Sequence, residues 1–104
     1  LDISEQCSTG AYSNIGTAYA ALGDYEDERK AFEALLERRR QNSKKGDSRL
    51  YEMQAMLYLI QACKHQRDYE KAAELYKEAE DIVNQLGMQK SFAQSLKTAG
   101  RGLP

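Results

Sequence analysis

The chain has 104 residues, a net charge of −1 and 30% charged side chains, which bounds it to one small domain and leaves no global field toward nucleic acid or an anionic membrane. A single Pro and many Ala, Leu, Glu, Lys, Gln and Arg residues favour helix. No apolar run nears the length of a membrane span, and the opening LDISEQ has neither an initiator Met nor the apolar stretch of a signal peptide, so the chain reads as a piece of something longer.

Residues 1–7 read as a helix remnant, followed by a break at Ser8-Thr9-Gly10 with a capping hydroxyl. Residues 10–22 form the first full helix. Its Tyr12, Ile15, Gly16 and Tyr19 fall at i, i+3, i+4 and i+7, one inward face. Gly23 stops it, and Asp24 suits the N-cap of a second helix over residues 25–41. That second helix has an acidic start (Glu26, Asp27, Glu28), an apolar face (Ala31, Phe32, Leu35, Leu36) and a basic end (Arg38, Arg39, Arg40), the charge order a helix dipole favours. Gln41 to Ser48 reads as a polar loop into which the helices on either side can run, with Asp47 or Ser48 capping a third helix that extends to about Gln66. Residues 69–86 make a fourth helix ended by Gly87, and residues 89–99 a short fifth. The expected division is a preceding helix tail (1–9), a first helix pair (10–41), a basic loop (42–47), a second pair (48–86), and a partial unit or capping helix with a frayed tail (88–104).

The plan repeats. Asp24-Tyr25-Glu26 recurs 44 residues later as Asp68-Tyr69-Glu70. Before it, Met56, Leu59, Ile60 and Cys63 take the places of Tyr12, Ile15, Gly16 and Tyr19. After it, Ala72, Tyr76 and Ala79 take the places of Glu28, Phe32 and Leu35. Phe92, Leu96 and Ala99 take up the first-helix spacing again, 36 residues beyond Met56. The period is therefore near 35, and the longer interval includes an insertion of about nine residues around Arg38–Arg49.

Tyr12-x-x-Ile15-Gly16-x-x-Tyr19, then Gly23-Asp24-Tyr25 and Phe32, resembles a tetratricopeptide repeat, whose pattern W-x-x-L-G-x-x-Y, A-x-x-x-F and Pro recurs about every 34 residues. Asp68-Tyr69-Glu70-Lys71-Ala72 and Tyr76-Lys77-Glu78-Ala79 match its later half. Glu28 stands where the family usually has Ala, Ile60 where Gly is usual, and the closing Pro is absent, features similar to longer-period adaptor arrays. The resemblance implies an all-α fold, an antiparallel helix-turn-helix α-solenoid segment. It also implies a non-catalytic adaptor or scaffold that holds a peptide or helix of a partner protein in a concave groove. Fewer than three units leave apolar surface open, so self-association through open ends, or further repeats in a parent protein, is expected.

Catalytic signatures are absent from the sequence. His65 is the only histidine, no phosphate loop or H-E-x-x-H occurs, and no cofactor or metal is expected. Cys7 and Cys63 form no C-x-x-C pair and read as free thiols of a reducing, intracellular compartment, the cytoplasm. Cys63, Met53 and Met56 read as core. Counting 100° per residue, the flank opposite the packed face carries Asn14 and Thr17 on the first helix, Leu57, Tyr58, Gln61, Lys64 and His65 on the third, and Lys97 on the last. By the resemblance this flank lines the groove, and these eight are the expected partner-binding residues. For His65 the plainer reading is a solvated helix end. The basic run Arg38, Arg39, Arg40, Lys44, Lys45, Arg49 suggests an alternative anion contact with nucleic acid or membrane. No aromatic residue interleaves with it, which weakens a single-strand stacking site, and the plainer reading is a helix end and a soluble loop. A regulatory repeat domain of a larger enzyme is a third.

Overall fold

The computed structural model describes residues 5–41 and 46–103, and these form an all-helical stack. Helices α1 (Glu5–Ala21), α2 (Tyr25–Gln41), α3 (Gly46–His65), α4 (Tyr69–Leu86) and α5 (Gln89–Gly100) follow one another. Each of the first four packs on its successor, and α5 lies against α4 and α3. Two antiparallel hairpins, α1–α2 and α3–α4, thus stand side by side.

The two hairpin turns are closed by the same hydrogen bonds. Asp24 donates its N–H to the Tyr19 carbonyl at 2.9 Å and Gly23 to Ala20 at 3.0 Å. In the second turn Asp68 donates to Cys63 at 2.8 Å and Arg67 to Lys64 at 2.9 Å. Both turns need a left-handed residue. Gly23 supplies it at φ +77°, whereas Arg67 is forced to φ +62°, where an L side chain crowds the following carbonyl. The aspartates cap as expected: Asp68 accepts from the Lys71 N–H at 3.2 Å and Asp24 from the Asp27 N–H at 3.4 Å.

Packing within the hairpins follows the predicted faces. Met53, Met56, Ile60 and Cys63 are buried against Ala72, Leu75, Ala79 and Val83 in one core that also takes in Phe32, Leu35 and Leu36. In the first hairpin Gly16 lets the Phe32 ring lie directly on the α1 backbone. A β-carbon there would sit 2.4 Å from Phe32 Cε1.

Three expectations are corrected. The chain does not break at Ser8-Thr9-Gly10: α1 runs through them from Glu5. Ser, Thr and Gly each cost about 1 kcal/mol or less in a helix interior, too little to interrupt a helix that propagates cooperatively. The third helix does not start after a cap at Asp47 or Ser48 either: α2 ends at Gln41 as expected, but α3 is already helical from Gly46. Finally, Ile15 is not inward but 45% exposed, unlike its counterpart Leu59, which is 2% exposed. The side of α3 holding Leu59 is covered by the preceding hairpin, and no described residues cover that side of α1. Residues 42–45, expected as loop, and the expected helix remnant's Leu1 to Ser4 lie outside the described residues.

Candidate functional site

A groove of ≈ 800 Å³ opens between α3 and α5. Gln54, Leu57, Tyr58, Gln61, Lys64 and His65 form the α3 wall. Phe92, Gln94, Ser95, Thr98, Ala99 and Arg101 form the other. Among the described residues no acidic side chain lines it. The floor is aromatic and aliphatic, and the rim carries amides and hydroxyls.

Five of the eight expected residues therefore come together, all on α3. Asn14 and Thr17 are exposed on α1, outside the groove, and Thr17 turns its hydroxyl to the Ser13 carbonyl at 2.8 Å. Lys97 is exposed on α5, also outside it. Helical periodicity assigns a face to each helix, but which faces converge depends on how the hairpins stack. Phe92, Ser95, Thr98 and Arg101 were missed for the same reason. The side of α5 turned to α3 carries Phe92, Ser95 and Ala99, an i, i+3, i+7 series legible in the sequence once α5 is known to pack there.

Two of the five are committed inside the molecule. Lys64 does not stand free in the groove. Its ammonium donates to the carbonyls of Thr98 at 3.3 Å, Ala99 at 3.0 Å and Arg101 at 3.1 Å, closing the C-terminus of α5 from across the groove. Burial and then the Arg101 guanidinium hold this ammonium below the ordinary lysine value.

His65 is not a solvated helix end. Its Nδ1 lies 2.8 Å from Glu28 Oε1, and its ring stacks on Tyr25 with centroids 4.5 Å apart. Glu28 is 1% exposed. A carboxylate at a place that is Ala72 in the second hairpin is tolerable only with such a partner. Tyr58 also has an internal task, stacked on Phe32 at 5.0 Å, with 40% of its surface left to the groove.

Elsewhere the α2–α3 joint is held by charge. Arg29 donates to Glu33 at 3.2 Å, Gln66 at 3.0 Å and Asp68 at 3.0 Å. The Lys71 N–H and then Arg29 hold the Asp68 carboxyl below its usual range. The basic run is largely absorbed in the same way. Arg39 stacks on Tyr51 at 5.0 Å, Arg40 pairs with Glu52 and Glu78, and Arg49 donates to Gln85 at 2.9 Å. Lys44 and Lys45 lie outside the described residues. Cys63 is fully buried, and burial pushes its thiol up, away from reactivity.

The tetratricopeptide repeat profile matches residues 8–85. The chain belongs to the tetratricopeptide repeat family. Repeats of this family are generally protein–protein interaction modules and typically non-catalytic. No curated protein and no solved structure matches the chain. Among the described residues no group of His, Cys, Asp and Glu could hold a metal ion, and no helix is long and apolar enough to cross a membrane.

Proposed function

We infer that this tetratricopeptide repeat segment binds a peptide or helix of a partner protein in the groove between α3 and α5. The supporting observation is the composition of its walls. Leu57, Tyr58 and Phe92 offer apolar area, and Gln54, Gln61, Gln94, Ser95 and Thr98 offer polar groups that fix the register of a bound chain. The absorption of Arg39, Arg40 and Arg49 by internal partners weighs against the basic run as an anion contact.

The test uses side chains that line the groove without holding the fold together. Lys64 and Tyr58 are unsuitable, because their removal also disturbs α5 and Phe32. Gln61→Ala with Gln94→Ala alters one residue on each wall. Affinity capture from nuclease-treated lysate is followed by titration of the purified captured protein. Binding by the parent and at least tenfold weaker binding by the variant, the loss of about 1.4 kcal/mol, supports the groove. Equal binding, or capture abolished by nuclease, excludes it.

A further inference from the structure

Glu28 is the one buried charged residue among those described, and the helix packing does not require it, since the second hairpin has Ala72 in its place. What the carboxylate holds is His65. It lies 2.8 Å from Nδ1. An ionised carboxylate only accepts, so this bond assigns the proton of the neutral imidazole to Nδ1. Tyr25, stacked with its centroid 4.5 Å away, fixes the plane of the ring. Nε2 lies across the ring from Glu28. It has no partner among the described residues and is not buried. The side chain keeps 31% of its surface, and His65 lines the α3–α5 groove. A chain bound there meets Nε2.

The surroundings give this part of the groove a sign. In a chain of 16 acidic and 15 basic side chains, the described groove wall carries Lys64, His65 and Arg101 and no carboxylate. The Lys64 ammonium is committed to three α5 carbonyls. Burial, and then the nearby Arg101 guanidinium, hold that ammonium low. The guanidinium itself has no partner among the described residues. From α2 the ring is met by Glu28 and Tyr25, while Arg29 is bonded to Glu33 and Asp68. On α1 no residue between Gln6 and Gly23 is charged.

We propose that His65 is a proton-controlled contact of the groove, which takes a carboxylate of the bound chain between its Nε2–H and Arg101. The proposal rests on the reading of this groove as a binding site. While the Glu28–His65 pair holds one proton, that proton is on Nδ1, and Nε2 offers a lone pair that repels a carboxylate. A second proton makes Nε2 a donor. This holds whether the pair is an imidazolium beside a carboxylate or a neutral imidazole beside a carboxylic acid. One proton thus reverses what His65 accepts, and an acidic segment binds more tightly as pH falls.

His65 is the only histidine, so a chain with nitrogen-labelled imidazole reports on it alone by nuclear magnetic resonance. When the ring is neutral the proton is expected on Nδ1, and Glu28→Ala should remove that preference. A neutral ring with its proton on Nε2 overturns the proposal with no ligand involved. The ligand probes are phenylpropionate and phenylpropionamide, which share an aromatic body for Tyr58 and Phe92 and differ in charge. Each is titrated into the full chain at about pH 8 and about pH 5.5, on either side of an ordinary histidine and above an ordinary carboxyl. Saturable shifts at Thr98 and Arg101 are expected, with the carboxylate about tenfold tighter at the lower pH and the amide indifferent to pH. His65→Gln keeps an N–H for Glu28 but does not titrate, and should abolish the pH difference. Arg101→Ala should weaken the carboxylate at both values. Equal affinity of the carboxylate at both values, or a pH difference that survives His65→Gln, overturns the proposal and leaves the groove a binding site. Failure of both probes to shift groove residues also overturns it, and the groove is then judged by the capture experiment alone.

Discussion

The two hairpins share one backbone plan and fill it differently. In the first, Gly16 lets the Phe32 ring lie on the α1 backbone. In the second, the buried Ile60 takes the place of Gly16, and Tyr76, in the place of Phe32, lies against Gly100 of α5. The left-handed turn residue is Gly23 in one and Arg67 in the other. The first buries Glu28 where the second buries Ala72. Local code therefore sets where helices start, stop and face. The pairing of large with small, and of acid with base, is settled between helices.

Substitutions that exchange the two solutions test this. The largest effect is expected for Gly16→Ile, which copies Ile60 while the Phe32 ring still lies on the α1 backbone. The new side chain collides with the ring, and urea denaturation should show a loss of about 3 kcal/mol. A near-neutral result would mean that Phe32 has another place to go.

Next comes the acid–base exchange. His65→Ala leaves the Glu28 carboxylate buried without its partner, and a loss of about 2 kcal/mol is expected, moderated by the partial exposure of the imidazole. Glu28→Ala combined with His65→Ala makes the site resemble that of Ala72 and should recover most of the loss. If the double variant is as unstable as the single, the pair is not what held α2 to α3.

A smaller change of opposite sign is expected for Arg67→Gly. It relieves the left-handed strain and should stabilise the chain by about 1 kcal/mol, whereas Gly23→Arg in the other turn should destabilise it by a similar amount.

The mildest comparison is of pH dependence. The Asp68 carboxyl titrates below its unfolded value of 3.8, so its contribution is present above that value and is lost as pH falls through the lower, folded one. Acid titration of stability should show a shallower decline in Asp68→Asn than in the parent. An unchanged slope would mean that neither the cap nor Arg29 favours the ionised form in solution.

Much of the fold is legible in the sequence, for particular reasons. The repeated Asp-Tyr-Glu, the Gly23 stop and the i, i+3, i+4, i+7 faces are short-range signals, and they locate α2, α4 and α5 closely. The continuity of α1 through Ser8-Thr9-Gly10 is not legible, because three unfavourable residues look like an end. The start of α3 at Gly46 is not legible either, because the stretch Gln41 to Ser48 is polar and reads as loop, although a turn of exposed helix is polar too. Of the expected groove residues, Leu57, Tyr58, Gln61, Lys64 and His65 share one helix and so stay together. Asn14, Thr17 and Lys97 depend on how separate helices are stacked, which no periodicity within one helix contains. The internal bonds of Lys64 and His65 span 34 to 37 residues of chain and cannot be seen from either end alone.

The bond from Lys64 to the carbonyls of Thr98, Ala99 and Arg101 has a consequence for how the stack opens. Met88 gives α5 no side-chain cap at its start, and its last turn is closed by a lysine belonging to α3. The fifth helix is therefore in part a guest of the hairpin it leans on, its last carbonyls shared between its own backbone N–H groups and that lysine. Packed more thinly than α3 and α4 are on each other, it is expected to open at lower cost than they do, and the groove opens with it. Whatever settles between α3 and α5 then acts as a clasp on the end of the stack.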